Sequence, residues 1–326
     1  MTTFWLSTHL SYACRHSGVC CSSRWPIPIE RDRAARVQHA IETGAVAVRA
    51  DGWLEPDPQA PSGVAGVLAL QASGACVFHR RPSRPDASGG GCVVHAMRPV
   101  SCEHFPFVCV TDPRGVHVSL SHYCPTAADL LFTATAPVAV VAGPAVLSDG
   151  REPEGLDARE ALPPVDDARV ASGPMLMDWE AVSRWEQALV TTLANERRVP
   201  GDPDLQLFED AVASVPPALA WPAPIDDTVR VWRERVAPAW GRWTAVAGRY
   251  LAARAHASWA MCLGSGPADV MRAVAVARAV LQVEAVRACA ESGAHLDRGR
   301  LTHAIRRADL LLLHYADPGR WWRPRD

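Results

Sequence analysis

Ten cysteines are the most reactive residues in this chain, and eight of them fall between positions 14 and 124. Cys14, Cys20 and Cys21 lie in the run Y-A-C-R-H-S-G-V-C-C, and Cys76 follows alone. Cys92 and Cys102 then sit in C-V-V-H-A-M-R-P-V-S-C-E-H-F-P-F, and Cys124 in S-L-S-H-Y-C-P-T-A-A. Turn-forming Gly18, Pro99, Pro106 and Pro125 stand beside these thiols. Under reducing conditions thiols stay free, so a sparse framework of this kind reads as metal ligands rather than disulfides. Thiolates bind zinc and iron–sulfur clusters, and a closed site takes about four protein ligands. The candidates Cys14, Cys20, Cys21, Cys76, Cys92, Cys102 and Cys124 exceed that number. Cys20 and Cys21 are adjacent, so in most backbone conformations their side chains diverge and do not easily share one small ion. The set therefore implies a polynuclear cluster, two neighbouring metal sites, or some thiols left in supporting or redox roles. The surplus of thiols favours iron–sulfur over zinc.

His16, His79, His95, His104, His117 and His122 crowd the same half and could add imidazole ligands, His95 and His104 first because they lie beside or between ligand thiols. Arg98 is placed to neutralise a thiolate-rich site through charge-assisted hydrogen bonds. Cys109 reads differently. In F-P-F-V-C-V the alternation puts it on one face with Phe105 and Phe107, an apolar setting that disfavours the thiolate a metal needs. Cys262 and Cys289 fall in Ala-rich helical patterns and read as small core residues.

These motifs resemble those of the YkgJ-type zinc- or iron-chelating cysteine-cluster family, which is related to the flagellin lysine-N-methylases. The positions that carry the resemblance are Cys14, Gly18, Cys20, Cys21, Cys76, Cys92, Arg98, Pro99, Cys102, Phe105, Pro106, Cys124 and Pro125. Ser17 stands where that family has a further cysteine. The resemblance implies metal binding and, through the methylase relatives, protein lysine N-methyl transfer with S-adenosylmethionine. A non-enzymatic docking protein with a structural metal is the other alternative.

Several classes are disfavoured. The formal charge of -2 over 326 residues gives no general attraction to nucleic acid or anionic membrane. Every one of the 33 basic residues is Arg, so no mechanism using a lysine of this chain is available. No apolar run approaches the roughly 18 residues a spanning helix needs, and no signal-peptide pattern opens the chain, so the cytoplasm is the expected compartment. Nucleotide-binding glycine loops, G-x-S-x-G and H-E-x-x-H are missing from the sequence. Partners, if any, are expected to be proteins docking on the helical half. Trp221, Trp321 and Trp322 read as packing residues.

The elements that must position the thiols can also be read. Glu30 to Thr43 has helical spacing and ends at Gly44. Residues 45 to 76 read as short extended pieces, and 80 to 91 as a loop. D-P-R-G between two alternating runs predicts a hairpin, and Pro125 starts a helix with Cys124 at its N-terminus. Asp178 caps a helix reaching to about Arg198, and further helices follow over 203–215 and 226–237. Apolar stripes through Trp243 to Trp259, Val270 to Ala288 and Leu301 to Tyr315 predict three longer ones. The expected fold is α+β: a small cysteine-rich metal-binding N-terminal domain over 1–135, an extended connecting segment over 136–177, and a mainly α-helical bundle over 178–326.

Overall fold

Phe107–Asp112 and Gly115–Leu120 form the hairpin that D-P-R-G predicts, with Val110 opposite His117 and Asp112 opposite Gly115. Asp112 closes its turn by accepting the Arg114 backbone N–H at 2.8 Å, the local bond that makes Asp a turn residue. The computed structural model describes residues 1–48, 52–80, 91–147, 151–166, 175–217, 219, 225–263 and 266–317. The chain divides into two compact units, one of residues 1–12 with 106–326 and the other of residues 13–105.

In the first unit the hairpin sits inside a five-stranded mixed sheet. Thr3–Leu6 lies parallel to Gly115–Leu120 and antiparallel to Val140–Gly143, while Leu156–Asp157 adds in parallel to Phe107–Asp112. The stretch expected as a connector thus supplies two strands of this sheet, and Val165–Asp166 with Met175–Leu176 pair beyond it. Around this sheet the helices fall where capping and periodicity place them. Asp178 accepts from Ala181 N at the start of Trp179–Ala194, Asp204 from Leu207 N before Leu205–Val212, and Asp297 from Arg300 N before Arg298–His314. The 26-residue helix Pro267–Ser292 is buried on most of its circumference, because Arg298–His314, Leu205–Val212 and Thr244–Ala255 all pack on it.

Between Ile225–Val231 and Ala237–Trp240 the helix widens into a π turn over Trp232–Val236, where Ala237 N reaches back to Trp232 O. Pro238 accounts for it. Its ring lacks an N–H and would press on the carbonyl of residue 234, and a wider turn relieves both. Among the described residues no helix is long and apolar enough to cross a membrane.

In the second unit the sheet order is Pro28–Glu30, Val64–Leu68, Leu54–Glu55, and the helix Arg31–Glu42 covers it through Val37, Ala40 and Ile41. His79–Arg80 pairs with Gly91–Cys92. The expected loop between them lies almost wholly outside the described residues.

The expectation of a cysteine-rich N-terminal domain ahead of a helical bundle is overturned. The chain is mixed α/β with several sheets, and its cysteines are spread through both units. The physical reason is the first strand. Thr3–Leu6 is an apolar strand that pairs on both edges with segments more than a hundred residues away, which takes the chain's start and its central hairpin into the helical unit.

Candidate metal centre

Backbone hydrogen bonds bring the cysteine-bearing segments of the second unit together. Cys76 N donates to Cys21 O at 2.7 Å, Val93 N to Phe78 O at 3.0 Å, and Cys92 pairs in register with His79. Cys102 lies in the short helix Val100–His104, which Pro99 opens. That helix is clamped from below: Glu30 accepts the Val100 N–H, and the buried Arg33 guanidinium pairs with Glu103 at 2.8 Å while donating to the Arg98 carbonyl. Gly18 has φ of 71° and packs directly on the His79 imidazole, where any Cβ would clash, so this glycine is required by both backbone and space.

Five of the expected ligands, Cys20, Cys21, Cys76, Cys92 and Cys102, lie on these segments of the second unit. Cys20 and Cys21 sit on one 3-10 turn with their sulfurs 4.0 Å apart, so here the adjacent side chains face each other instead of diverging. Cys76, Cys92 and Cys102 are close enough that a charge on any one is felt by others of the group, and Arg98 is felt by Cys20, Cys92 and Cys102. The Cys21 thiol hydrogen-bonds to the Cys20 sulfur and brings Cys20 down to about 7 against the effect of burial, with Arg98 helping. Burial pushes Cys76 up to about 11 and raises Cys92 and Cys102 as well. Among the described residues no three thiols have their sulfurs all within 4.8 Å of one another.

The two remaining candidates stand apart in kind. Cys14 is exposed, and its sulfur accepts from His16 N at 3.4 Å. Cys124 is in the first unit, buried at the N-terminus of Pro125–Thr133, with its sulfur 3.7 Å from Tyr12 Oη. Cys109 is buried in its strand, and burial pushes its thiol up to about 12. Cys289 is buried in the long helix, whereas Cys262 is only half-buried and lines a cavity. His95 stacks edge-on against His16 at 4.4 Å between centroids and contacts Arg98. His104 is buried in its helix.

His117 and His122 belong to a polar network inside the first unit that no local motif announces. His117 Nε2 lies 3.2 Å from Asp112 Oδ1, and His256 Nδ1 lies 2.9 Å from Glu186 Oε1. Arg114 bridges the two carboxylates, at 2.6 Å to Asp112 Oδ2 and 2.9 Å to Glu186 Oε2. Although burial works against it, His256, His117 and Arg114 hold Glu186 well below the usual carboxylate range. Alongside, Asp309 Oδ2 accepts the His122 backbone N–H at 2.6 Å and faces its Nδ1 at 2.9 Å, while Tyr250 Oη donates to Asp309 Oδ1 at 3.0 Å. His122 Nε2 in turn faces His9 Nε2 at 3.3 Å, and burial together with His122 and His256 keeps His9 well below its ordinary value.

Sequence reading missed His9, Glu186, His256 and Asp309. The one signal available was polar residues set in otherwise apolar stripes, such as Asp309 between Ala308 and Leu310. No family model, curated protein or solved structure matches this chain, so its function has to be argued from its own residues.

Proposed function

We propose that the protein binds a thiolate-ligated metal centre, iron–sulfur before zinc, built on Cys20, Cys21, Cys76, Cys92 and Cys102. One observation supports the reading: thiols from four separate stretches of one unit are near enough to feel one another's charge, and Arg98 acts on Cys20, Cys92 and Cys102. Buried thiols gain little from mutual proximity as thiols, since burial and one another's charge raise their pKa. A cation reverses that, because it binds the thiolates and repays their desolvation. The guanidinium of Arg98 suits a centre whose net charge stays negative after the metal is bound. The spacing favours a polynuclear centre. The sulfurs of a tetrahedral zinc site stand about 3.8 Å apart, closer than these thiols manage as a group of three.

The test is anaerobic purification of the full chain, followed by iron, sulfide and zinc analysis and a visible spectrum. The expected result is stoichiometric iron and sulfide with broad visible absorption, lost in Cys76→Ser and Cys102→Ser and kept in Cys289→Ser. Colourless protein with one zinc per chain, lost in the same two variants, would transfer the centre to zinc. Neither metal above trace after anaerobic reconstitution would remove the proposal.

A further inference from the structure

The first unit holds two histidines and a glutamate whose donor atoms lie within 4.8 Å of one another, His117, Glu186 and His256, all buried. They come from three elements: the hairpin strand Gly115–Leu120, the helix Trp179–Ala194, and the turn that follows Thr244–Ala255. Three ligands bonded to one ion at about 2.0–2.2 Å stand about 3.3–3.7 Å apart when spread evenly round it. Closing by up to about 1 Å would bring these three onto a common centre.

The hydrogen bonding around the trio is incomplete in a specific way. Asp112 and Glu186 carboxylates only accept, so the ring nitrogen facing each one carries the proton: Nε2 of His117 and Nδ1 of His256. That leaves His117 Nδ1 buried and without a hydrogen-bond partner, while His256, whose Nε2 points away from Glu186, would offer the ion Nδ1 in place of the proton it gives that carboxylate. His117 Nδ1 lies 3.8 Å from Glu186 Oε2. A bare lone pair facing a carboxylate in a buried site is repulsive, and a proton on that nitrogen would still lie too far away for a hydrogen bond. A cation between them satisfies both.

The charge count agrees. Two buried carboxylates, Asp112 and Glu186, share one guanidinium, that of Arg114. With the two imidazoles neutral one negative charge is left over, and each carboxylate oxygen that Arg114 holds retains a second lone pair. His117 is also held as metal-bound imidazoles commonly are, with its far N–H donated to a carboxylate that fixes ring and tautomer. Beside the trio is a cavity of ≈10 Å³, bounded by Asp112, Ser258, Met261 and Cys262 among others. That is room for about one water, and not for an organic ligand.

We propose that His117, Glu186 and His256 bind one divalent first-row cation, with a single water-sized position left open toward this cavity. Two imidazoles and a carboxylate suit zinc, iron(II) or manganese(II). The site is distinct from the thiol centre in ligand type and lies in the other unit. The ion would tie hairpin, helix and turn together, so its binding is also a stabilising event.

Manganese(II) is the discriminating probe, because it prefers nitrogen and oxygen donors to thiolates. Titration of the full chain, followed by the free-ion signal in electron paramagnetic resonance, should show one tight equivalent and a raised Tm. Glu186→Gln should abolish that binding. Asp112→Asn, which loosens the support of both His117 and Arg114, should weaken it about 10- to 100-fold, and Cys76→Ser and Cys102→Ser should leave it unchanged. Should Glu186→Gln fail to fold, nuclear magnetic resonance on the wild-type chain decides: manganese must broaden the methyl of cavity-lining Met261 before those of the other methionines. Absence of binding by the wild-type chain, binding that survives Glu186→Gln, or broadening that spares Met261 would each overturn the site. Binding lost in the cysteine variants alone would reassign the ion to the thiol centre. Failure of either proposal therefore leaves the other standing.

Discussion

Gly248 lies flush against Leu193: a Cβ at position 248 would collide with the Leu193 carbonyl oxygen and come within 3.3 Å of Ala194 Cα. The helices Trp179–Ala194 and Thr244–Ala255 therefore touch through backbone, and this close approach brings Glu186 of the first to His256 at the end of the second. Gly248→Ala should destabilise the fold by about 2 kcal/mol, because the strain of displacing a helix backbone exceeds the ~1 kcal/mol by which Ala outdoes Gly in a helix. Urea unfolding reads the difference, and an unchanged or raised midpoint would show that the two helices part freely.

Asp309 is fully buried and accepts from the His122 backbone, the His122 ring and Tyr250 Oη. Asp309→Ala would strand three donors in an apolar interior, and the expected loss is about 3–5 kcal/mol. Tyr250→Phe removes one donor with its oxygen and should cost about 1 kcal/mol. Equal losses in the two variants would mean that the carboxylate is not the hub of this network.

The His314 imidazole is held down to about 4, first by burial and then by Arg254, with Asp309 acting in the opposite sense; Ser121 Oγ meets its Nε2 at 3.0 Å, and the Tyr123 ring packs on it. An unfolded histidine titrates near 6.5. Between those values the unfolded chain binds the extra proton, so stability rises with pH through this window. The contribution is complete above pH 6.5 and lost as pH falls toward 4, with a slope of up to about 1.4 kcal/mol per pH unit. His314→Gln should flatten the urea midpoint between pH 7 and pH 4.5 relative to wild type. Parallel profiles for the two proteins would refute the assignment.

Arg33 and Glu103 hold the Cys102 segment against the Arg31–Glu42 helix, and the arginine side chain is 8% exposed where the glutamate is 20% exposed. Arg33→Met keeps the bulk and removes the guanidinium that Glu103 pairs with. A loss of about 2–3 kcal/mol follows from breaking a largely buried pair on one side. Hydrogen exchange should report it first at Cys102 to Phe105, whose amides bond within this short turn. Faster exchange elsewhere in the unit with those amides unchanged would count against the clamp.

What was legible in the chain is what is written locally. The D-P-R-G hairpin, the Asp178 cap and the stripe from Leu301 to Leu312 all follow from near neighbours, and the structure has them. Thr3–Leu6 defeated the reading because a strand so short gains its place from partners at positions 116–118 and 140–143, which no local period encodes. The same limit applies to the sites. Cysteines announce themselves by scarcity, so they could be named as candidates in advance. His117, Glu186 and His256 are ordinary residues about 70 positions apart, and only the packed helices make them neighbours. The 3-10 turn likewise aimed Cys20 and Cys21 together where a generic backbone would have splayed them.

Cys109 tests whether a thiol near the motifs must belong to the centre. Its strand partner is Val118, it is buried, and burial alone raises its thiol to about 12, with no cation or thiolate acting on it. Cys76 and Cys102 are raised by burial too, but each also feels Cys20 and Cys92. That difference separates a packed apolar sulfur from one in a group that a metal could collect. Cys109→Ala should therefore keep its full metal content and lose roughly 1 kcal/mol, the cost of deleting one small buried group. Metal analysis and urea unfolding on the same preparation check both halves. Metal lost from a variant that still folds would mean that the hairpin lends a thiol to the centre, and the burial argument for Cys109 would fall.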